Sequence, residues 1–415
     1  MFRSRSYVLQ SPRDFERRFR RGTRRVRSWE FSDVDPVDKW KSRRKLLMPC
    51  FGHAMLRDYL MVFNKHSEKF VKFLEKETKQ ESFFVKKYFT HLTLDIICDT
   101  MFGFSTRALE TDDAKYVTAV TKLEDIFLSR VYKFWLWPDF IFKLTRYYRE
   151  GEKCINLLQD IVNSVFEEKK KLYLDKSKKD LKGKRKALID VLLQLHLETQ
   201  ELSKEDVMEE IMTFLFSGLE TVAAALMWVF LMIGLHPEVQ RKIQEELDKV
   251  FGGDRERYAT EDDLNALIYL SRVLKETNRL YSTVPIFGRR APEDIDICGH
   301  TIPKGASCFI LSYFLNRDED VFPDPEKFDP DRFLPENAAK LPDCAVVPFG
   351  GGQRNCIGQM FAIMELKTIL SSILRNYTIE SLDSREDIIP IMRVSLYPSK
   401  NIRFRIRQRK FIKSE

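Results

Sequence analysis

The residues with the clearest chemical potential lie in one short stretch near the C-terminal end, Pro348-Phe349-Gly350-Gly351-Gly352-Gln353-Arg354-Asn355-Cys356-Ile357-Gly358. Three consecutive glycines let the backbone fold tightly and approach a flat object closely. The chain then reverses at Cys356 and enters an apolar helical run from Gln359 to Ile369. A thiol at that point feels the positive end of the helix dipole, and Arg354 adds charge two residues away, so both favour the thiolate. A thiolate in a Gly-rich, apolar loop is a soft metal ligand, and one cysteine alone suits a haem iron better than a zinc site. The plainer alternative is a Gly-rich turn around an inert buried thiol. Phe349, Gly352, Arg354, Cys356 and Gly358 together make chance a poor explanation, because five fixed positions recur in a chain this long about once in ten thousand.

A reactive loop needs an element to face it. Ile211 to Leu235 is almost unbroken apolar sequence with one charge, Glu220. Length and composition would suit a membrane span, but a mid-span charge costs roughly 2.5–3.5 kcal/mol there. Thr213, Ser217 and Thr221 recur every four residues, with Gly218, Ala224 and Ala225 near the same stripe. Such a helix, apolar all round with one small and weakly polar face, belongs in the middle of a large protein. Thr221 can bond the carbonyl four residues back or serve chemistry on that face.

Other elements have scaffold roles. Trp40 and Arg44 share a helix face and can offer an indole N–H and a guanidinium to one carboxylate. Glu276 and Arg279, three apart, have the spacing of an ordinary helix ion pair, as do Glu238 and Arg241. Helical periodicity covers Leu60 to about Lys79, Thr93 to Phe104, residues 115–131 and Leu264 to Leu280. Strand signals are few: Ile295–Ile297, Thr301–Ile302, Ser307–Ile310 and Ile402–Ile406. Residues 134–142 hold seven large apolar side chains around Pro138, and read either as a loop tucked into the core or as a greasy lid over a substrate path. The lysine-rich run 167–186 reads as a helix end and a solvated loop.

Composition bounds the rest. With 415 residues, 44% of them hydrophobic, the chain can build one large core or two ordinary ones. Seven scattered cysteines without a C-x-x-C pair indicate a reduced compartment rather than a disulfide or zinc framework. The formal net charge of +8 is concentrated at the start, where residues 1–30 carry ten arginines against Asp14, Glu16 and Glu30. That arm reads as a solvated basic segment, an anionic-membrane contact or an Arg-rich transit peptide. It has no apolar signal or anchor sequence, and no reader motif for nucleic acid accompanies it.

The Phe349–Gly358 spacing resembles the haem-binding loop of the cytochrome P-450 family, in which the cysteine is the axial thiolate. Ser217-Gly218-Leu219-Glu220-Thr221 resembles that family's oxygen-activating helix with its acid–alcohol pair. The resemblance implies catalytic roles for Glu220 and Thr221. It implies cofactor contacts from Trp40, Arg44, Phe349, Gly352, Arg354 and Gly358, metal ligation by Cys356, and a buried structural triad of Glu276, Arg279 and Arg332, the last within Pro330-Asp331-Arg332-Phe333. Either Arg289 or Arg290 is expected to reach a propionate. The implied fold is mainly α with small β-sheets (α+β), holding haem b between the central helix and the Cys loop. The implied activity is monooxygenation of an apolar substrate, with O2 and two electrons from an NADPH-dependent cytochrome P-450 reductase, a b-type cytochrome being a second donor. The implied setting is the cytosolic face of the endoplasmic reticulum membrane, with mitochondria as the alternative. The fatty-acid omega-hydroxylase branch (family 4) is the most similar. Many of its members have a glutamate where Ser217 stands, so strict terminal-carbon selectivity is not expected here. The resemblance runs from about Trp40 onward. Residues 1–37 are expected to be a divergent basic segment lacking the family's anchor and first strands, so the chain is identified as an N-terminally incomplete member with a catalytic domain over 38–415. The rivals are a haem-thiolate isomerase that rearranges peroxides without a reductase, and a haem-binding or incomplete chain without activity.

Overall fold

The computed structural model describes residues 5–7, 37–111, 115–175 and 187–410. Its central element is α7, a 32-residue helix from Lys204 to Leu235, about 48 Å long at 1.5 Å per residue. The element starts seven residues before the apolar run, because Ser203 caps it. The Ser203 hydroxyl accepts from the Asp206 amide while Asp206 returns a bond to the Ser203 N–H, satisfying two donors that a helix start otherwise leaves open. In its most apolar window 83% of the helix is buried within the protein, so its hydrophobicity serves the core.

The helices around it are α1 (Val37–Leu47), α2 (His53–Leu74), α3 (Lys86–Phe102), α4 (Lys115–Tyr132), α5 (Arg146–Asp175) and α6 (Leu188–Leu197). After α7 come α8 (Pro237–Phe251), α9 (Glu261–Ala266), α10 (Ile268–Leu280) and α11 (Gln359–Asn376). The expected Leu264–Leu280 helix is thus two pieces. They part at Leu267, whose φ −76°, ψ 73° lies outside the helical region. Helix α3 likewise begins seven residues before the expected Thr93. Thr90 and His91 are buried along with Phe89 and Leu92, so burial here does not follow apolar periodicity.

Packing around α7 explains two of its glycines. A Cβ on Gly218 would sit 2.5 Å from Ile97 Cδ1 of α3, and one on Gly234 would sit 2.9 Å from the Ser381 amide nitrogen. Both glycines are therefore required by neighbouring elements. On the far side, Trp228 stacks on Tyr281 with centroids 4.0 Å apart and donates its indole N–H to the Leu396 carbonyl at 2.9 Å. The burial of such a side chain contributes about 1.5–3 kcal/mol.

The sheets are small and antiparallel. β1 (Arg5–Tyr7), β3 (Phe287–Arg290) and β6 (Ser307–Ile310) form one, in the order β1-β3-β6. β2 (Phe83–Phe84), β10 (Arg403–Gln408) and β7 (Tyr377–Ser381) form another, in the order β2-β10-β7. β4 (Ile295–Ile297) pairs with β5 (His300–Ile302), and β8 (Pro390–Met392) with β9 (Leu396–Pro398). Part of the basic N-terminal segment therefore joins a sheet, through Arg5–Tyr7. The remainder of residues 1–36 and the lysine-rich run beyond Asp175 to Lys186 lie outside the described residues.

Candidate active site

The Cys loop is built by its own backbone. Gly350 and Gly352 take left-handed φ of 69° and 71°, a region that favours glycine. The Cys356 amide then donates to the Phe349 carbonyl at 2.8 Å and closes the loop. Helix α11 begins three residues after Cys356, with Gly358 as its first cap. Phe361, in its first turn, wedges edge-on against Phe63 and Tyr59 of α2, with centroids 4.9 and 5.6 Å apart. The loop is thus anchored from behind by aromatic packing.

Cys356 opens onto a cavity of about 350 Å³ walled by α7 on the other side, where Thr221, Gly218 and Ala225 line it. The open surface of the thiol faces this cavity and not bulk water, and burial pushes its pKa up. The Gly358 N–H and the Arg44 guanidinium pull the other way without reversing the shift. The expected bias toward free thiolate is therefore corrected. Desolvation outweighs the local positive groups, and the proton must leave when a cation binds. Arg354 does not supply the nearby charge, since its guanidinium lies 3.5 Å over the Trp40 ring.

Trp40 and Arg44 both line the cavity. Arg44 donates to the Asn355 carbonyl at 2.7 Å and to its side-chain oxygen at 2.6 Å, so it fixes the residue before Cys356. Between Arg289 and Arg290 the strand decides. Arg289 is buried on the cavity wall, whereas Arg290 turns to the Gly305 carbonyl. The Arg289 guanidinium bonds the Gly288 carbonyl at 2.9 Å, and burial lowers its pKa with no counter-charge offsetting it. A buried cation short of an anion costs several kcal/mol and fits a ligand that carries carboxylates. An apolar slot with a soft thiol on one wall and guanidinium groups at its edge matches the donor set a haem needs. Phe349 and Gly358 line the slot, while Gly352 shapes the loop through its φ.

The acid–alcohol pair is divided. The Thr221 hydroxyl donates to the Ser217 carbonyl at 2.7 Å and opens on the Cys356 cavity. Glu220 is buried and lines a different cavity, of about 770 Å³, with Glu124, Lys86, Arg393 and Tyr397. Consecutive helical residues point about 100° apart, and here Glu220 and Thr221 fall on the walls of different cavities.

Glu276, Arg279 and Arg332 meet in the core. Arg279 donates to both Glu276 oxygens at 2.7 and 2.8 Å, the Asp329 amide donates at 2.9 Å, and Arg332 lies 3.5 Å away. Sequence reasoning missed Arg43, which pairs with Asp206, with Glu209 at 3.2 Å and with Glu210 at 2.8 Å, tying α1 to the start of α7. The only signal was an unremarked acidic first stretch of α7. The 134–142 segment is divided in burial. Leu136 and Phe142 are buried, while Phe134, Trp135 and Phe140 are exposed.

A family model described as Cytochrome P450 matches residues 8–405, reaching well upstream of Trp40. The chain is 41% identical to human Cytochrome P450 4V2 over 383 residues, covering 90% of this chain and 72% of that one. It is 40% identical to Cytochrome P450 4c3 of Drosophila melanogaster over 389 residues, covering 89% and 72%. It is 33% identical to Cytochrome P450 4d1 of the same fly over 385 residues, covering 89% and 75%. A match of that extent, over a mainly helical fold with small sheets, places this chain in the cytochrome P450 family of oxidoreductases, which bind haem b through a thiolate ligand.

Proposed function

We propose that the chain is a monooxygenase that hydroxylates a fatty acid or related lipophilic molecule. The observation that carries this reading is the Cys356 thiol opening across an apolar cavity from Thr221. Haem b, which the Cys356 thiolate would hold there, would supply the reductive activation of O2, one atom of which enters the substrate while the other becomes water. Arg289 offers its buried positive charge to a carboxylate edge. Arg44 fixes the Asn355–Cys356 geometry. Trp40 and Arg354 stack to close the same side. The Thr221 hydroxyl, anchored to the Ser217 carbonyl, holds a proton at the cavity wall.

Two electrons must come from outside, because the sequence has no flavin or dinucleotide motif. An NADPH-dependent reductase on the endoplasmic reticulum membrane is the donor we infer. The exposed Phe134, Trp135 and Phe140 suit contact with the same lipid surface. Ser217 lines the cavity, where it cannot form an ester to the cofactor as a carboxylate could. The products should therefore include in-chain as well as terminal alcohols. The test supplies the haem-loaded chain with a P450 reductase, NADPH and a panel of fatty acids, and measures alcohol formed per NADPH consumed. Alcohols dependent on NADPH support the reading. Turnover of organic peroxides without reductase, and none with it, would favour an isomerase instead.

A further inference from the structure

The cavity behind Glu220 is unlike the one in front of Thr221. It is about 770 Å³, far more than the roughly 30 Å³ share of one water. Its exposed lining residues are Gln80, Ser82, Lys87 and Asn401 beside Phe84, and its buried ones include Glu124, Glu220 and Tyr397. Glu124 comes from α4, 96 residues before Glu220, and is 4% exposed. One of its carboxylate oxygens, Oε1, is buried with no hydrogen-bond partner among the described residues. Its other oxygen reaches Arg393 only at 4.0 Å, because Arg393 is drawn to Asp125 at 3.1 Å. Tyr397 donates to the Glu220 carbonyl at 3.1 Å. Two buried carboxyls on the lining of one cavity that also has exposed residues, one of them short of partners, cannot both ionise cheaply.

We propose that this second cavity is the proton-loading chamber of the enzyme, and that Glu124 is the carboxyl that holds the proton that Glu220 passes across α7. The inference rests on the monooxygenase reading, in which reducing one oxygen atom to water consumes two protons. A proton from bulk water forms an O–H bond at Glu124 and transfers through cavity water to Glu220. It leaves Glu220 toward the Thr221 side of the helix. The Glu220 carboxylate left behind is reloaded from Glu124, and Glu124 from solvent. No reagent other than water is needed. The groups facing the pair set its titration. Lys86 at the start of α3 and Arg393 beside β9 favour the ionised form, Asp125 of α4 opposes it, and Tyr397 is locked neutral by burial. Glu77 and His91 also line the chamber. Burial dominates, pushing Glu124 up to about 9 and Glu220 in the same direction.

The test uses the ferric, haem-loaded protein and infrared difference spectroscopy of protonated carboxyls as pH is raised. The wild type should keep a carboxyl band at neutral pH and lose it only as pH rises toward about 9. Glu220, Glu276 and Glu365 are also pushed up, so the component that belongs to Glu124 is the one that should be missing from Glu124→Gln. Lys86→Met keeps both carboxyls and should push the loss to higher pH, which covers the case of a Glu124 variant that does not fold. In reductase assays Glu124→Gln should lower alcohol formed per NADPH about tenfold, less than the roughly hundredfold or more of a group that touches the reacting atoms, because Glu124 acts through Glu220. A carboxyl band that titrates near the ordinary value of about 4.3, or that Glu124→Gln leaves unchanged, would overturn the proposal. Alcohol formation by the wild type is measured alongside, so the monooxygenase reading stands or falls separately.

Discussion

Two buried carboxylate sites in this molecule are satisfied to opposite degrees. Glu276 takes three hydrogen bonds from Arg279 and the Asp329 amide, and Arg332 adds a charge 3.5 Å away. Arg279 in turn donates to the Asn316 and Lys327 carbonyls at 2.8 and 3.1 Å. Burial still raises the Glu276 pKa, but each of its oxygens is spoken for. Glu124, by contrast, has an orphan oxygen and a distant arginine on the wall of a cavity that it shares with Glu220. Full satisfaction locks α10 to the segment that leads toward the Cys loop. Partial satisfaction leaves a group able to gain and lose a proton. The comparison separates scaffold from chemistry among groups of one residue type.

The largest effect that could break this contrast is at the scaffold site. Glu276→Ala strands Arg279 without its counter-ion and should cost about 3–5 kcal/mol, seen as a lowered denaturant midpoint and poor haem retention. Unchanged stability would mean that the triad is incidental. Next comes Gly218→Ala, where a methyl group would drive into Ile97 at 2.5 Å. Overpacking of this sort costs about 1–3 kcal/mol, and the double variant with Ile97→Val should recover part of the loss. Thr221→Ala should leave stability nearly intact but lower alcohol per NADPH about tenfold, roughly 1.4 kcal/mol of barrier. If coupling is unchanged, the Thr221 hydroxyl only caps the Ser217 carbonyl.

The smallest effect sharpens the comparison through pH. Glu124 is held up to about 9 when folded and returns to about 4.3 when unfolded. Between those values the folded chain keeps a proton that the unfolded chain has released. Stability therefore falls as pH rises through that window and levels off above it. Glu124→Gln should flatten that slope, read from urea midpoints at several pH values. A slope identical to wild type would place the titration elsewhere.

Much of the scaffold was legible because its signals are local. Ser307–Ile310 and Ile295–Ile297 are strands, as expected from the sequence, and the Cys loop is a linear spacing. Arg289 and Arg290 were indistinguishable as neighbours in sequence, and pairing with β6 separates them by turning one into the cavity and one to Gly305. Helix geometry allows Glu220 and Thr221 to face different cavities, yet whether they do, and which of them faces the thiol, depends on where the neighbouring helices pack. Glu124 and Arg43 could not be read at all. Their partners lie 96 and more than 160 residues away, and in sequence each is an ordinary charge on an amphipathic helix. The break at Leu267 was hidden because both halves keep one apolar face across it.

The most direct measurement is the carbon-monoxide difference spectrum of the reduced, haem-loaded chain, taken beside Cys356→Ala. Ligation by Cys356 as thiolate predicts a strongly red-shifted Soret band in the wild type and its loss in the variant. A red-shifted band that survives Cys356→Ala, or a wild type with only the unshifted band, would contradict the assignment of Cys356 and the site built around it.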